Sequence, residues 1–308
     1  MDVITTRGLT KYYGKTRGVE DLSMRVPEGA VYGFLGPNGS GKTTTIRCLL
    51  GMLKTTSGEA TVFGQRVSLD GSAMHARIGY VAGEVRLYEK ETGRWHIEYV
   101  AGFRGSRGSL TDDLVERFEF DPSKKVKELS KGNKQKLALL LGMAHDPELL
   151  ILDEPTSGLD PLNQESVYAV IDERVAAGRT VFLSSHVLSE VERVCDRVGI
   201  IRNGRLAAEE NVKALLGKRL REVEVVFAEP TEPSFLADLP GVDNVTAIGP
   251  TTLSARAKGD VVDDVVKRLA QRRVTDVRIQ QASLEDVFLE FYRSDEPAPD
   301  AAEGGEAQ

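Results

Sequence analysis

Residues 2–10 alternate between apolar and polar positions, the period that puts every second side chain on one face of a pleated strand. With residues 3–6, 22–26, 30–35 and 59–63 they predict a β-rich opening, an antiparallel sheet beside the main sheet of the protein. Two later stretches, Leu-Leu-Ile-Leu at 149–152 and Val-Phe-Leu at 181–183, are short continuous apolar runs, and the first fits a parallel strand buried on both faces. Residues 42–53 predict a helix, and 92–146 hold several helical patterns with few strand signals, so they form a helical insertion. The core pattern closes with a helix at 212–216. Beyond it, short alternating strands at 219–229, 243–247, 252–257 and 274–280 flank a helical pattern at 260–271, which predicts a small α+β unit of about 70 residues. Leu284, Val287, Phe288 and Phe291 then make one apolar helix face. The expected division is 1–216, 217–293 and an acidic tail, 294–308, whose Pro, Ala, Gly, Asp and Glu predict disorder.

Composition narrows the classes. A length of 308 residues accommodates two domains. The net charge of −7 argues against a general nucleic-acid binder, which carries a basic face. The only dense basic run, six lysines from Lys124 to Lys136, reads as a solvated helix face. Cys48 and Cys195 lie in apolar patterns and read as small core residues in a reducing cytosol. No run reaches the roughly 18 apolar residues that span a bilayer, and no basic-then-apolar secretion signal opens the chain. Any membrane role is therefore expected to come through a partner.

The chemistry begins at Gly36-Pro37-Asn38-Gly39-Ser40-Gly41-Lys42-Thr43, a full match to the phosphate loop G-x-x-x-x-G-K-[ST], set between a predicted strand and a predicted helix that begins with Lys42, Thr43 and Thr44. Gly36, Gly39 and Gly41 let the backbone curl so that N–H groups converge on phosphate oxygens, and the helix N-terminus adds partial positive charge. Lys42 brings a full charge to the β- and γ-phosphates, and the Thr43 hydroxyl is short enough to hold Mg²⁺. This loop predicts an α/β P-loop NTPase core that binds a nucleoside triphosphate. Asp153 and Glu154 follow the apolar run at 149–152, at the strand end where α/β sheets place ligand chemistry. Asp153 can reach the Mg²⁺ shell, and Glu154 can orient and polarise an attacking water.

Leu129-Ser130-Lys131-Gly132-Asn133, continuing Lys134-Gln135-Lys136, resembles the LSGGQ signature of ATP-binding cassette (ABC) proteins. Leu129, Ser130 and Gly132 match; Lys131 and Asn133 depart in the manner of a variant among bacterial exporter ATPases. Within that resemblance, Ser157-Gly158-Leu159-Asp160 looks like the loop connecting the two nucleotide sites of a cassette dimer. His186 is similar to the switch histidine that contacts the γ-phosphate, and Tyr13 to the aromatic that stacks on adenine. Tyr12 is the weaker candidate. Where cassettes usually carry Gln or Glu after the strand preceding the helical part, Gly83 occupies the slot and Glu84 follows. Either Glu84 takes over as a metal-site oxygen, or coupling between this loop and hydrolysis is altered.

The resemblance implies an ATPase using ATP and Mg²⁺, with Lys42, Glu154 and His186 as catalytic residues. It further implies a homodimer, or a heterodimer with a second cassette, because the signature of one subunit closes over the phosphate loop of another. The helix 282–292 looks like the end of the accessory domain of multidrug and antibiotic exporter ATPases. The implied function is the ATP-binding subunit of an ABC transporter at the cytoplasmic face of the membrane. It would power export of a drug, antibiotic or other amphipathic compound through a separate membrane subunit, with no nucleic-acid partner. The alternatives are a soluble ABC ATPase acting on ribosomes or DNA, and a regulatory nucleotide-binding module without turnover.

Overall fold

A computed structural model of the chain describes residues 1–69, 71–212, 214 and 220–281. The chain divides into two units after Val212. The first opens on two long strands: β1 (Asp2–Tyr13) runs a few residues past the expected alternating segment 2–10, and β2 (Thr16–Pro27) begins well before the expected 22–26. They pair antiparallel, and β4 (Ser57–Val62) and β5 (Gln65–Arg66) complete a four-stranded sheet in the order β2-β1-β4-β5.

The main sheet has six strands, and it takes in the strand at 31–35, expected in the antiparallel sheet, because that strand pairs parallel with its neighbours on both sides. β3 (Val31–Leu35), β6 (Ile78–Val81), β7 (Leu149–Asp153), β8 (Thr180–Ser185) and β9 (Arg197–Arg202) run parallel, and β10 (Arg205–Asn211) returns antiparallel along β9, giving the order β10-β9-β3-β8-β7-β6. β3, β7 and β8 are buried at every position, as expected of parallel strands covered on both faces. The β9–β10 turn is Asn203-Gly204, both at positive φ, the backbone that matches a two-residue hairpin to strand twist.

Helix α1 (Lys42–Leu49) leaves the phosphate loop and ends short of the expected residue 53. Leu50 caps it and Gly51 turns left-handed at φ 67°, so the Met52 N–H folds back to the Arg47 carbonyl (2.9 Å). After α2 (Ser72–Ala76), the expected helical insertion holds α3 (Gly93–Arg104), α4 (Thr111–Arg117) and α5 (Lys131–Met143). Thr92 caps α3 and Ser130 caps α5, each side chain accepting a backbone N–H three residues on. Helices α6 (Pro161–Ala176) and α7 (Leu188–Val194) complete the described part of this unit.

The second unit has its own core. β11 (Leu220–Phe227), β12 (Val242–Ala247), β13 (Thr252–Lys258) and β14 (Val274–Gln281) form an antiparallel sheet in the order β12-β13-β11-β14. Val223, Val225, Phe227, Leu253, Ala255 and Ala257 bury alternate positions of the two central strands against Leu236 of α8 (Ser234–Ala237) and Val265 and Leu269 of α9 (Val262–Leu269). The expected helix at 212–216 falls largely outside the described residues. The helix at 282–292 and the tail at 294–308 lie wholly outside them.

Candidate functional site

Strand order assembles the site. β3, β8 and β7 are neighbours, and their C-terminal ends deliver the phosphate loop, Ser185-His186 and Asp153-Glu154 to one edge of the sheet. The loop is pressed against the β9–β10 hairpin. A Cβ on Gly36 would lie 2.4 Å from the Ile201 carbonyl oxygen, and the Gly204 N–H donates to the Ser40 carbonyl (2.9 Å). Gly41 precedes α1 at φ 111°, and there a Cβ would stand 2.6 Å from the Gly18 carbonyl oxygen. Helix α1 has no side-chain cap and no acidic residue in its first turn, so its first N–H groups remain available to an anion. The Ser40 hydroxyl is buried, with no hydrogen-bond partner among the described residues. Pro37, Asn38 and Gly39 form the exposed outer rim.

Lys42 is 5 % exposed, and its Nζ donates to the carbonyls of Gly36 (2.7 Å) and Pro37 (3.2 Å). A buried ammonium needs a compensating charge. Glu154 supplies it, with Oε1 3.4 Å from Lys42 Nζ. The same oxygen lies 3.2 Å from His186 Nδ1. Glu154 itself stands at φ 49°, a left-handed conformation that costs energy for a residue with a Cβ, and its N–H is held by the Ser184 carbonyl at 3.1 Å. The backbone therefore turns sharply between Asp153 and Glu154.

Asp153, 2 % exposed, accepts from the Thr43 hydroxyl at Oδ2 (2.9 Å) and from the Ser184 hydroxyl at Oδ1 (2.5 Å). Hydroxyl and carboxylate oxygens are the donors a hard cation such as Mg²⁺ prefers, so Thr43 and Asp153 fit that ion. Among the described residues no group of three or more His, Cys, Asp and Glu could hold a metal unaided. A cation here would thus need oxygens from a ligand as well. Beside Asp153 opens a cleft of about 790 Å³ bounded by Thr43, Arg47, Tyr80, Gly83, Glu84 and Glu154, among others. Burial, and then the Asp153 charge, raise the Tyr80 phenol above its ordinary range.

The remaining expected residues divide. Tyr13 stands beside α1, 46 % exposed, with Oη 3.4 Å from Thr44 Oγ1, so its ring is open to a ligand at the loop. Tyr12 turns to Glu20, whose hydrogen bond raises its phenol pKa. Gly83 lies against Asp153: a Cβ there would come within 3.2 Å of the Asp153 carbonyl oxygen. Glu84 borders the cleft, but its carboxylate is exposed and paired with Arg86 at 3.0 Å rather than with Asp153 or Thr43.

Ser130, at the start of α5, is exposed, and Leu129 beneath it is buried. No hydrogen bond or ion pair among the described residues joins 129–133 to the phosphate loop. The signature packs instead on the loop after Glu154. A Cβ on Gly132 would lie 3.0 Å from the Gly158 carbonyl oxygen, the Lys131 stem covers Gly158, and Gln135 donates to the Pro155 carbonyl (2.7 Å). Ser157 donates its N–H to the Glu154 carbonyl (3.2 Å), Leu159 is buried, and Asp160 caps α6. Sequence reasoning missed Ser184, Ser185, Thr156 and Glu190. The pair Ser184-Ser185 just before His186 was the one available signal.

Residues 19–157 match the family described as ABC transporter. The chain is 40 % identical over 211 residues to the bacitracin transport ATP-binding protein BcrA of Bacillus licheniformis, covering 67 % of this chain and 69 % of that protein. It is 34 % identical over 306 residues to the daunorubicin/doxorubicin resistance ATP-binding protein DrrA of Streptomyces peucetius, covering 93 % and 91 %. A solved ATP-binding subunit of an ABC transporter shares the fold with a TM-score of 0.67 at 24 % identity, over 94 % of this chain and 99 % of that one. The dimeric bacterial cassette MJ0796 shares it with a TM-score of 0.63 at 22 % identity, over 68 % and 98 %.

Proposed function

This chain belongs to the family of ABC transporter ATP-binding proteins, and on that premise we propose that it works as a dimer at the cytoplasmic face of the membrane, powering export through a separate membrane subunit. The chain is an ATP-binding subunit and an ATP hydrolase by family. The observation that carries the catalytic reading is the convergence of Lys42 Nζ (3.4 Å) and His186 Nδ1 (3.2 Å) on one oxygen of Glu154. Three side chains that follow three adjacent strands share one point in a site with a ready anion cradle.

In this reading the N–H groups of residues 36–43 and Lys42 bind the phosphates, and Tyr13 stacks on the base. Glu154 polarises the attacking water. Its strained backbone points the carboxylate toward the loop. His186 holds the γ-phosphate side of the site. Thr43 and Asp153 would hold Mg²⁺, whose charge neutralises the phosphate oxygens. Ser130 and the open end of α5 would meet the phosphates of a second subunit, since within this chain that helix faces no phosphate loop contact among those described. ATP touching both subunits only when they are closed favours closure by the free energy of those added contacts.

Export of an antibiotic or similar amphipathic compound is supported by the bacitracin-transport and daunorubicin-resistance relatives. Among the described residues no helix is long and apolar enough to cross a membrane, which fits a role beside a membrane subunit. The test is to purify the tagged chain from detergent-extracted cells of its native host. A stoichiometric multi-span partner that raises ATP turnover is expected. Recovery with ribosomes or DNA, and no membrane protein, would overturn the transport reading.

A further inference from the structure

A buried carboxylate outside the catalytic set ties its loops together. Glu190, in the first turn of α7, is 6 % exposed. A carboxylate this deep persists only when hydrogen bonds replace its water. Three hydroxyls do so, each from a different element. Oε2 accepts from Ser185 (2.5 Å), the last residue of β8 and the neighbour of His186. Oε1 accepts from Tyr168 of α6 (3.2 Å) and from Thr156, two residues beyond Glu154. Burial raises the Glu190 carboxyl above its usual range, and the hydroxyls of Ser185 and Tyr168 pull it back.

The Ser185 and Thr156 hydroxyls lie at the loops of the site. The Ser185 hydroxyl also accepts the Val187 N–H (2.9 Å), which pins the turn carrying His186 from both sides. The Ser185 carbonyl accepts the Gly36 N–H of the phosphate loop (3.2 Å). The Thr156 carbonyl accepts the Leu159 N–H (3.0 Å) and so shapes the loop that packs on the signature helix. His186 and Glu154 thus sit on two separate loops, and each loop is fastened to the same carboxylate next to its catalytic residue. Nothing else among the described side-chain hydrogen bonds joins residues 156–160 to residues 185–187.

We propose that Glu190 is a positioning residue: through Ser185 and Thr156 it sets the His186–Glu154 spacing, and so the rate of hydrolysis rather than the affinity for ATP. The inference rests on the catalytic reading of His186 and Glu154 given above. Misplacing a reacting group by about 1 Å costs on the order of 100-fold in rate, so a modest loosening of these loops is enough to be seen.

The experiment measures steady-state ATP turnover and thermal melting for the full chain and for Glu190→Ala, Glu190→Gln, Ser185→Ala, His186→Ala and the Glu190→Ala/His186→Ala pair. Glu190→Ala should lower kcat by about 10- to 100-fold with KM for ATP changed less than about twofold. Glu190→Gln keeps the acceptor for Tyr168 and Thr156 and should recover kcat to within about fivefold of the parent chain. The pair should be no slower than His186→Ala alone, because the two act through one group. If Glu190→Ala does not fold, Ser185→Ala carries the same kcat expectation, since it frees the His186 turn and leaves the buried carboxylate two donors. Unchanged kcat in Glu190→Ala and Ser185→Ala, or losses that multiply with His186→Ala, would overturn the proposal while leaving the catalytic reading intact. Parental turnover in His186→Ala would overturn both.

Discussion

Asp153 and Glu190 are built alike and placed differently. Each is a carboxylate less than a tenth exposed, and each is satisfied by hydroxyls from neighbouring elements rather than by a cation. Asp153 stands at the wall of an open cleft, and one of its donors, Thr43, belongs to the phosphate loop. Glu190 is enclosed by Ser185, Tyr168 and Thr156, and neither it nor these partners line that cleft. Hydroxyl pairing keeps a carboxylate in the interior without fixing its job. Access decides it: the open one can exchange a hydroxyl for a metal, whereas the sealed one can only hold its neighbours in place. Glu154 lies between them, on the chain that links Asp153 to Thr156.

The largest effect should come from that middle position. Glu154→Gln keeps the volume and removes the charge proposed to receive the water's proton, so turnover should fall by about 10²–10⁴-fold. ATP binding should persist, and a nucleotide-dependent dimer should accumulate on size exclusion. Unaltered turnover would take Glu154 out of catalysis and leave the Asp153–Glu190 contrast without its centre. Next is Asp153→Asn. Its amide cannot accept from both Thr43 and Ser184 at once, and it ligates metal poorly. Turnover should drop by about 10–100-fold and demand more Mg²⁺, read from a metal titration. A normal Mg²⁺ requirement would mean that the open end does not serve a cation.

The two ends also differ in how far the sequence disclosed them. The open end was legible because its constraints are local. Gly36 and Gly41 answer backbone approaches only glycine permits, Lys42 and Thr43 follow directly, and Asp153-Glu154 terminate an apolar run. The sealed end was not. Thr156 and Tyr168 reach Glu190 across 34 and 22 positions, and no period or spacing marks such a meeting. The fold followed the same rule. Strands were predicted from local alternation and apolar runs, while the length of β2 depends on its pairing with β1. The end of α1 was readable in principle, since Gly51 is a local stop signal inside the predicted 42–53 span.

A smaller effect is expected at the sealed end from Tyr168→Phe. It deletes one of three donors and leaves Glu190 its two loop contacts, so stability should fall by about 1 kcal/mol in denaturant unfolding. Turnover should change far less than in Ser185→Ala. A kcat loss equal to that of Ser185→Ala would show that the carboxylate needs all three hydroxyls to hold either loop.

The smallest effect concerns whether the open end borrows a further carboxylate. Gly83 leaves the wall beside Asp153 without a side chain, and Glu84 is the nearest acid in the chain sequence. Its carboxylate, however, is solvent-exposed and engaged by Arg86, a surface pair worth at most about 1 kcal/mol. Breaking so weak a pair is easy, so geometry alone sets the expectation: Glu84→Ala should leave ATP turnover within about twofold of the parent chain, and its Mg²⁺ titration unshifted. A fall of about tenfold or more with a raised Mg²⁺ requirement would place Glu84 at the metal when nucleotide is bound. The loop at Gly83 would then swing by a side-chain length on loading, and the open end would carry two carboxylates against the sealed end's one.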